Sequence, residues 1–316
     1  MIYIVLIVLL ILFIVFMTLG NLFTERALNM KSVTSRGNRT LTKNTQVYEY
    51  PPYAPGIYCQ DMTSWVLNES NYRNVFIRND GLSLHGIYIE NPNSHKYVLN
   101  CHGYGSRAVN SGPFLHKFYL EGFNVLAPDS RGHGESEGTY TTMGYLERFD
   151  ILKWIAYIID NDAEAQIVLY GISMGAATVM YTVGEKLPEN VKCAIEDCGY
   201  SSLMKQYRYE CSHTFHIPSF PLLQFSNLAS IVKLKFNFNK ADTRLTLNRC
   251  KVPMLFIHGT ADTFVPFDNL QINYDACRSE KEMLVVESAT HARSSSFEPE
   301  RYWNTVFQFI DKHINA

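Results

Sequence analysis

Ser173 stands between Gly171 and Gly175 in "VLYGISMGAATVMY", residues 168 to 181, and a serine in a G-x-S-x-G setting is a candidate nucleophile. Ile167 to Tyr170 reads as a short buried strand and Met174 to Tyr181 as a helix, which puts the serine on a strand-to-helix turn. Glycines two places away on each side remove Cβ atoms that would collide in so tight a turn. The helix that follows aims its N-terminal amides and positive dipole end at the serine oxygen. A serine hydroxyl is a poor nucleophile until an imidazole takes its proton, and the imidazole needs a carboxylate to fix its tautomer.

Three further stretches offer the missing groups. "LNCHGYGSR", residues 99 to 107, is glycine-rich after an apolar run and can turn a backbone N–H towards the serine. "FIHGTADTFVP", residues 256 to 266, carries Asp262, and "VVESATHARS", residues 285 to 294, carries His291. Asp197, in "IEDCGYSS", is a second candidate acid. Asp262 also fits a turn-forming residue. His133, in "DSRGHGESEG" at 129 to 138, reads as part of a structural loop rather than as chemistry.

These residues need elements to hold them. Val75 to Arg78 and Leu82 to Glu90 flank "NDG", a hairpin signal. Strands are then expected at 97–101, 124–127, 167–170, 191–196, 254–258 and 282–287. Helices alternate with them near 114–121, over 143–159, after Ser173, near 268–277 and over 299–314. Repeated β-α-β implies a mainly parallel sheet with helices on both faces, in which ligands bind beyond the carboxyl ends of the strands. Every candidate group falls at such an end, in the chain order Ser173, Asp262, His291.

The stretch from about 202 to 248 interrupts this rhythm and reads as a cap insertion, with Phe215, Phe220 and Leu223 as candidate substrate-pocket residues. The same apolar residues also suit a packed helical excursion that touches no substrate. An apolar cap favours an uncharged acyl or aromatic group.

At 316 residues, 47% hydrophobic and with a net charge of −2, the chain can bury one large α/β domain and has no basic excess suited to nucleic acid. Ile2 to Phe23 carries no charge and is long enough to cross a bilayer. It has no basic start or A-x-A-like site, so it is expected to be an uncleaved transmembrane anchor over residues 1–24, with Thr18-Leu19-Gly20 as a weak cleavage candidate. Arg26, Lys31, Arg36, Arg39 and Lys43 follow it, which favours the cytoplasm for what comes after. Residues 25–72 read as a linker and approach segment, and 73–316 as the catalytic domain. Seven cysteines without framework spacing suit reduced thiols. Cys211, His213 and His216 lack the second ligand pair of a metal site, so no metal is expected. Sequons stand at Asn38 and Asn68. The sequence carries no signal for an oligomeric state.

Taken together, "HGYG", "DSRGHGES", "GISMGA", "HGTADTFVP" and "ATHARS" resemble the serine α/β-hydrolases, most of all the bacterial membrane-anchored esterase-like and prolyl-oligopeptidase-like members, from about Arg73 to Ala316. The resemblance implies the α/β-hydrolase fold, with Ser173 as nucleophile, His291 as base and Asp262 as orienting acid. It also implies the N–H groups of Met174 and Tyr104 as oxyanion donors, and chemistry that requires no cofactor. Carboxylester hydrolysis through an acyl-enzyme is the leading expectation, with thioester, lipid or peptide hydrolysis behind it. An inactive membrane-tethered binding protein is the alternative from another class.

Overall fold

The apolar runs of the chain pair into one eight-stranded sheet in a computed structural model that describes residues 1–31 and 61–314. The sequon at Asn38, Cys59 and most of the 25–72 segment, with Arg36, Arg39 and Lys43, lie outside the described residues. The chain runs through α1 (Ile2–Leu28), α2 (Asp61–Asn68), β1 (Arg73–Asn79), β2 (Leu82–Ile89), β3 (Lys96–Cys101), α3 (Gly112–Leu120) and β4 (Asn124–Pro128). It continues with α4 (Glu147–Asn161), β5 (Gln166–Ile172), α5 (Met174–Thr182), β6 (Val191–Asp197), α6 (Leu203–Tyr209), α7 (Leu222–Leu234) and α8 (Thr243–Leu247). It ends with β7 (Met254–Gly259), α9 (Asp268–Ala276), β8 (Lys281–Val286), α10 (Ser294–Phe297) and α11 (Pro299–Ile314).

The strand order is β1-β2-β4-β3-β5-β6-β7-β8. The opening hairpin is antiparallel, β2 pairs antiparallel with β4, and every later pairing is parallel. Alternate side chains of the central strands therefore feed two cores. Val98, Val168, Tyr170 and Ile195 pack under α2, α3 and α11 through Trp65, Phe118 and Phe309. Leu99, Ile167, Leu169 and Phe256 pack on the other face against α4, α5 and α9 through Trp154, Met180 and Leu270. Strands buried on both faces explain the near-continuous apolar runs in the sequence. This is the α/β-hydrolase fold, preceded by one helix long and apolar enough to span a membrane.

Two expectations shift. The helix foreseen from residue 143 starts at Glu147. Met143 and Gly144 have φ of 55° and 88°, outside the helical region, and the Glu147 carboxylate turns back to accept from Thr142 N (2.8 Å) and Thr142 Oγ1 (2.6 Å). An apolar periodicity cannot register that backbone reversal.

The second shift concerns residues 25 to 31, foreseen as the start of a linker. Helix α1 continues to Leu28 and its end is wedged into the domain. Leu28 and Met30 are buried, Thr141 N donates to Leu28 O (2.9 Å), and Met30 N donates to Thr139 O (2.8 Å). Further up, α1 lies along α7. The Phe225 ring stacks on Phe16 at 5.5 Å and meets Phe13 edge-on at 5.7 Å, while Thr24 Oγ1 donates to Ser226 O at 3.0 Å. A Cβ on Gly20 would lie 2.5 Å from the Phe225 carbonyl carbon, so only glycine permits this approach. The first fourteen residues of α1, Ile2 to Val15, are exposed and almost wholly apolar.

Candidate active site

Four loops at the carboxyl ends of β3, β5, β7 and β8 converge. Ser173 follows the last residue of β5 directly, with φ 57° and ψ −116°, a conformation that costs on the order of 1–3 kcal/mol. Its N–H donates to Asp197 O at 2.8 Å, which ties the strained turn to the end of β6. A Cβ on Gly175 would sit 2.0 Å from Cys101 O, and one on Gly171 would sit 2.3 Å from Gly175 O. The flanking glycines thus let α5 start in contact with the end of β3 as well as relieving the turn.

His291, in the loop after β8, has its Nε2 2.9 Å from Ser173 Oγ and its Nδ1 2.7 Å from Asp262 Oδ2. Donation from Nδ1 to the carboxylate leaves the Nε2 lone pair facing the serine hydroxyl, which is the tautomer a base requires. Asp262 is anchored in turn. Its Oδ1 accepts the N–H groups of Phe264 and Val265, each at 2.9 Å. Burial by itself would push the Asp262 carboxyl up, but hydrogen bonds from His258 and His291 outweigh it and hold the group well below the usual carboxylate range. The sequence reading did not single out His258, four residues upstream in "HGTAD". Its Nε2 lies 2.9 Å from Val265 O and 3.3 Å from Asp262 Oδ2, so the carboxylate faces two imidazoles.

Asp197, the other candidate acid, faces elsewhere. Its carboxylate accepts from Tyr302 Oη (2.9 Å) and Ser294 Oγ (3.4 Å), and burial pushes it up to about 6. Met174 opens α5, where a helical N–H has no acceptor within the helix. Tyr104 lies in the neighbouring loop, and a Cβ on Gly103 would sit 3.6 Å from Ser173 Cβ. That loop is held by two buried histidines. His102 Nδ1 donates to Gly103 O (2.8 Å) and its Nε2 accepts Ser130 N–H (3.0 Å). His133 Nε2 accepts Gly105 N–H (3.2 Å) while its Nδ1 donates to Arg131 O (3.1 Å). The "HGYG" and "RGHG" stretches therefore interlock through neutral imidazoles, and His133 is a positioning residue.

That arrangement has a consequence in acid. Burial holds His133 down to about 3, so the native state refuses a proton that the unfolded chain takes near the ordinary value of about 6.5. The stabilisation His133 supplies by staying neutral is complete above about 6.5 and declines as pH falls towards about 3. His133→Gln keeps an amide acceptor for Gly105 N–H and has no proton to refuse. The stability of the wild type relative to this variant should fall by up to about 1.4 kcal/mol per pH unit between pH 6 and 4, read from denaturant titrations. Parallel pH profiles for the two proteins would show that His133 is not held neutral.

The candidate pocket residues divide. Leu223 is buried in a cluster with Leu28, Tyr181, Tyr200 and Tyr207, whereas Phe215 and Phe220 are exposed. Phe264 packs against His291, with ring centres 4.9 Å apart. It lies in the "TADTFVP" loop itself, so no patterning of the cap could have pointed to it. Cys211 is buried while His213 and His216 are exposed, and the three do not form a ligand group among the described residues. Cys198, Asp262 and His291 do bring ligand atoms within 4.8 Å of one another. Both ring nitrogens of His291 are engaged there, and burial pushes the Cys198 thiol well up, against the thiolate a metal takes. The six cysteines among the described residues are buried free thiols.

Residues 92–202 match a family model described as serine aminopeptidase, S33. The uncharacterized protein YqkD of Bacillus subtilis is 26% identical over 73% of this chain and 76% of its own length. An uncharacterized membrane protein of Saccharomyces cerevisiae is 25% identical over 75% of this chain and 78% of its own. Among solved structures, the Pyrococcus furiosus esterase Pf2001 superposes with a TM-score of 0.65 at 27% identity, covering 84% of this chain and 99% of that one. The Pyrococcus horikoshii acylaminoacyl peptidase, at 18% identity and a TM-score of 0.59, shares the fold over 81% of this chain and 44% of its own. These likenesses support a place in the serine α/β-hydrolase superfamily.

Proposed function

We propose that this protein is a membrane-anchored serine esterase that cleaves carboxylic esters through an acyl-enzyme on Ser173. The observation that carries the reading is the relay from Asp262 Oδ2 to His291 Nδ1 (2.7 Å) and from His291 Nε2 to Ser173 Oγ (2.9 Å). In this reading Ser173 Oγ attacks the acyl carbon as its proton passes to His291 Nε2. The carbonyl oxygen becomes an oxyanion that the N–H groups of Met174 and Tyr104 stabilise, and Asp262 stabilises the imidazolium. His291 then protonates the departing alkoxide as the C–O bond breaks. Water gives a proton to the same nitrogen and attacks the acyl carbon, and Ser173 leaves with the proton returned.

Phe264 beside His291 offers an apolar surface to the substrate, which suits an uncharged acyl group, and the similarity to a Pyrococcus furiosus esterase supports an ester substrate. Helix α1 is in this reading an uncleaved single-pass anchor, with the domain on the cytoplasmic side as its five following basic residues favour. A fluorophosphonate probe should form one adduct, mapped by peptide mass spectrometry to Ser173, and p-nitrophenyl esters should be turned over. An adduct elsewhere, or none, would overturn the assignment.

A further inference from the structure

Given the anchor and esterase readings above, we propose that α7 lies in the same bilayer leaflet from which α1 emerges, so that the site takes uncharged long-chain acyl esters directly from the membrane. Leu228, Ile231 and Val232 form an i, i+3, i+4 stripe on the outer face of α7 and are all exposed, Val232 at 74%. Phe220, in the turn before the helix, is 72% exposed. Between residues 215 and 234 the only ionisable side chains are those of His216 and Lys233. A water-facing helix of this composition would leave an apolar surface without a partner.

What covers it follows from α1. Phe23 is the last apolar residue of the span before Glu25, and Phe13 lies ten residues earlier, about 15 Å further into a hydrocarbon core about 30 Å thick. Phe225, in the first turn of α7, packs on Phe13 and Phe16, so a bilayer around that part of α1 also surrounds the start of α7. The other end agrees in level. Lys233 pairs with Glu25, so both helices change from apolar to charged at one height. The helical backbone satisfies itself, and the Ser226 hydroxyl donates to Leu222 O (2.8 Å), as a hydrocarbon setting requires. Gln224 is the one polar residue on the outward face among the helix's first ten residues that is exposed.

The candidate site is fixed to this platform. Tyr104, whose loop abuts Ser173, donates its hydroxyl to Ala27 O in the last turn of α1 at 3.1 Å. Phe23 packs edge-on against Tyr207 of α6 at 5.5 Å. From the same helix, Gln206 Nε2 and Tyr209 Oη donate to the carbonyls of Phe264 and Thr263 (2.7 and 2.9 Å), in the loop that carries Asp262. Ser173 is thus linked to the last turn of the anchor through Gly103 and Tyr104, and Ala27 is only four residues, about 6 Å of helix, beyond Phe23. A chain of contacts this short holds the serine close to the membrane surface, within reach of a lipid ester that rises partly out of its leaflet.

The full chain, in a Cys59→Ser background, is reconstituted in dioleoylphosphatidylcholine vesicles containing a nitroxide-labelled lipid. A polarity-sensitive fluorophore is placed on Val232→Cys, on Leu10→Cys in the anchor, or on Lys153→Cys, an exposed position of α4. The expected result is quenching at 232 at least twofold stronger than at 153, with 10 also quenched. Quenching at 10 but not at 232 would overturn α7 docking and leave the anchor standing, while none at either would remove both. A dark, unquenched 232 that cross-links between molecules would assign the stripe to a second copy of the chain, and so also overturn the proposal. In the second arm, Leu228→Asp/Val232→Asp should lower the rate on an oleoyl ester in the vesicles, relative to the rate on p-nitrophenyl acetate, at least tenfold. An unchanged ratio would overturn direct uptake from the membrane. Failure to hydrolyse either ester in the wild type would remove the esterase reading, and with it uptake from the membrane, while the quenching decides where α7 lies.

Discussion

Ser173→Ala is expected to lower kcat on a small soluble ester by about four to six orders of magnitude while leaving the circular dichroism spectrum unchanged. The magnitude reflects the loss of the covalent route. His291 could still activate water, but no acyl-enzyme would form, and what remained would come from oxyanion stabilisation and binding alone. The fold should tolerate the change because alanine meets the same φ of 57° that serine already accepts, and the turn is held by a backbone bond from residue 173 to Asp197 O. Steady-state kinetics with active-site titration of the wild type provide the comparison. Activity within tenfold of wild type would remove Ser173 from the chemistry.

Asp262→Asn should lower kcat by about 10⁴-fold, and Asp197→Asn by less than tenfold. Asp262 uses both oxygens: Oδ1 accepts from Phe264 N and Val265 N, and Oδ2 faces His291 Nδ1 and His258 Nε2. An asparagine that keeps its oxygen on the two backbone N–H groups must turn its NH₂ towards both imidazoles. His291 would then present the Nδ1 lone pair to the amide and carry its proton on Nε2, which leaves nothing to take the proton of Ser173. Asp197 has no such hold on His291. It accepts from Tyr302 and Ser294, and an asparagine oxygen can still take the Tyr302 hydroxyl at the same place. Burial has moved Asp197 up to about 6, so its environment favours the charge less than that of Asp262 does, and removing the charge costs less. The measurement is kcat of both variants at pH 7.5, and the reverse ranking would transfer the orienting role to Asp197.

The sequence alone determined the eight strands, the alternation with helices and the turn at Ser173, because each depends on residues close together in the chain. A run such as Ile167 to Tyr170 is apolar on both sides since both faces of its strand are covered, and the glycines around Ser173 mark a turn whatever surrounds it. The order Ser173, Asp262, His291 was readable for the same reason, since each of these residues follows its own strand in the loop at its carboxyl end. The choice between Asp262 and Asp197 was not, because both satisfy that local description. The tertiary structure decided that His291 Nδ1 meets Asp262, through a loop fixed by Phe264 N and Val265 N. It also decided the roles of His102, His133 and His258, whose partners depend on which loops lie side by side. Most of all it decided what happens after the apolar span of α1. Polar and apolar residues mix from Glu25 to Lys31, so the stretch looks like a tether on composition. Yet Leu28 and Met30 are buried, and Thr24 bonds to Ser226, some two hundred residues away in the chain. Contacts between such distant segments leave no periodic trace in either one, since each needs only the shape and spare hydrogen-bonding groups that the other presents.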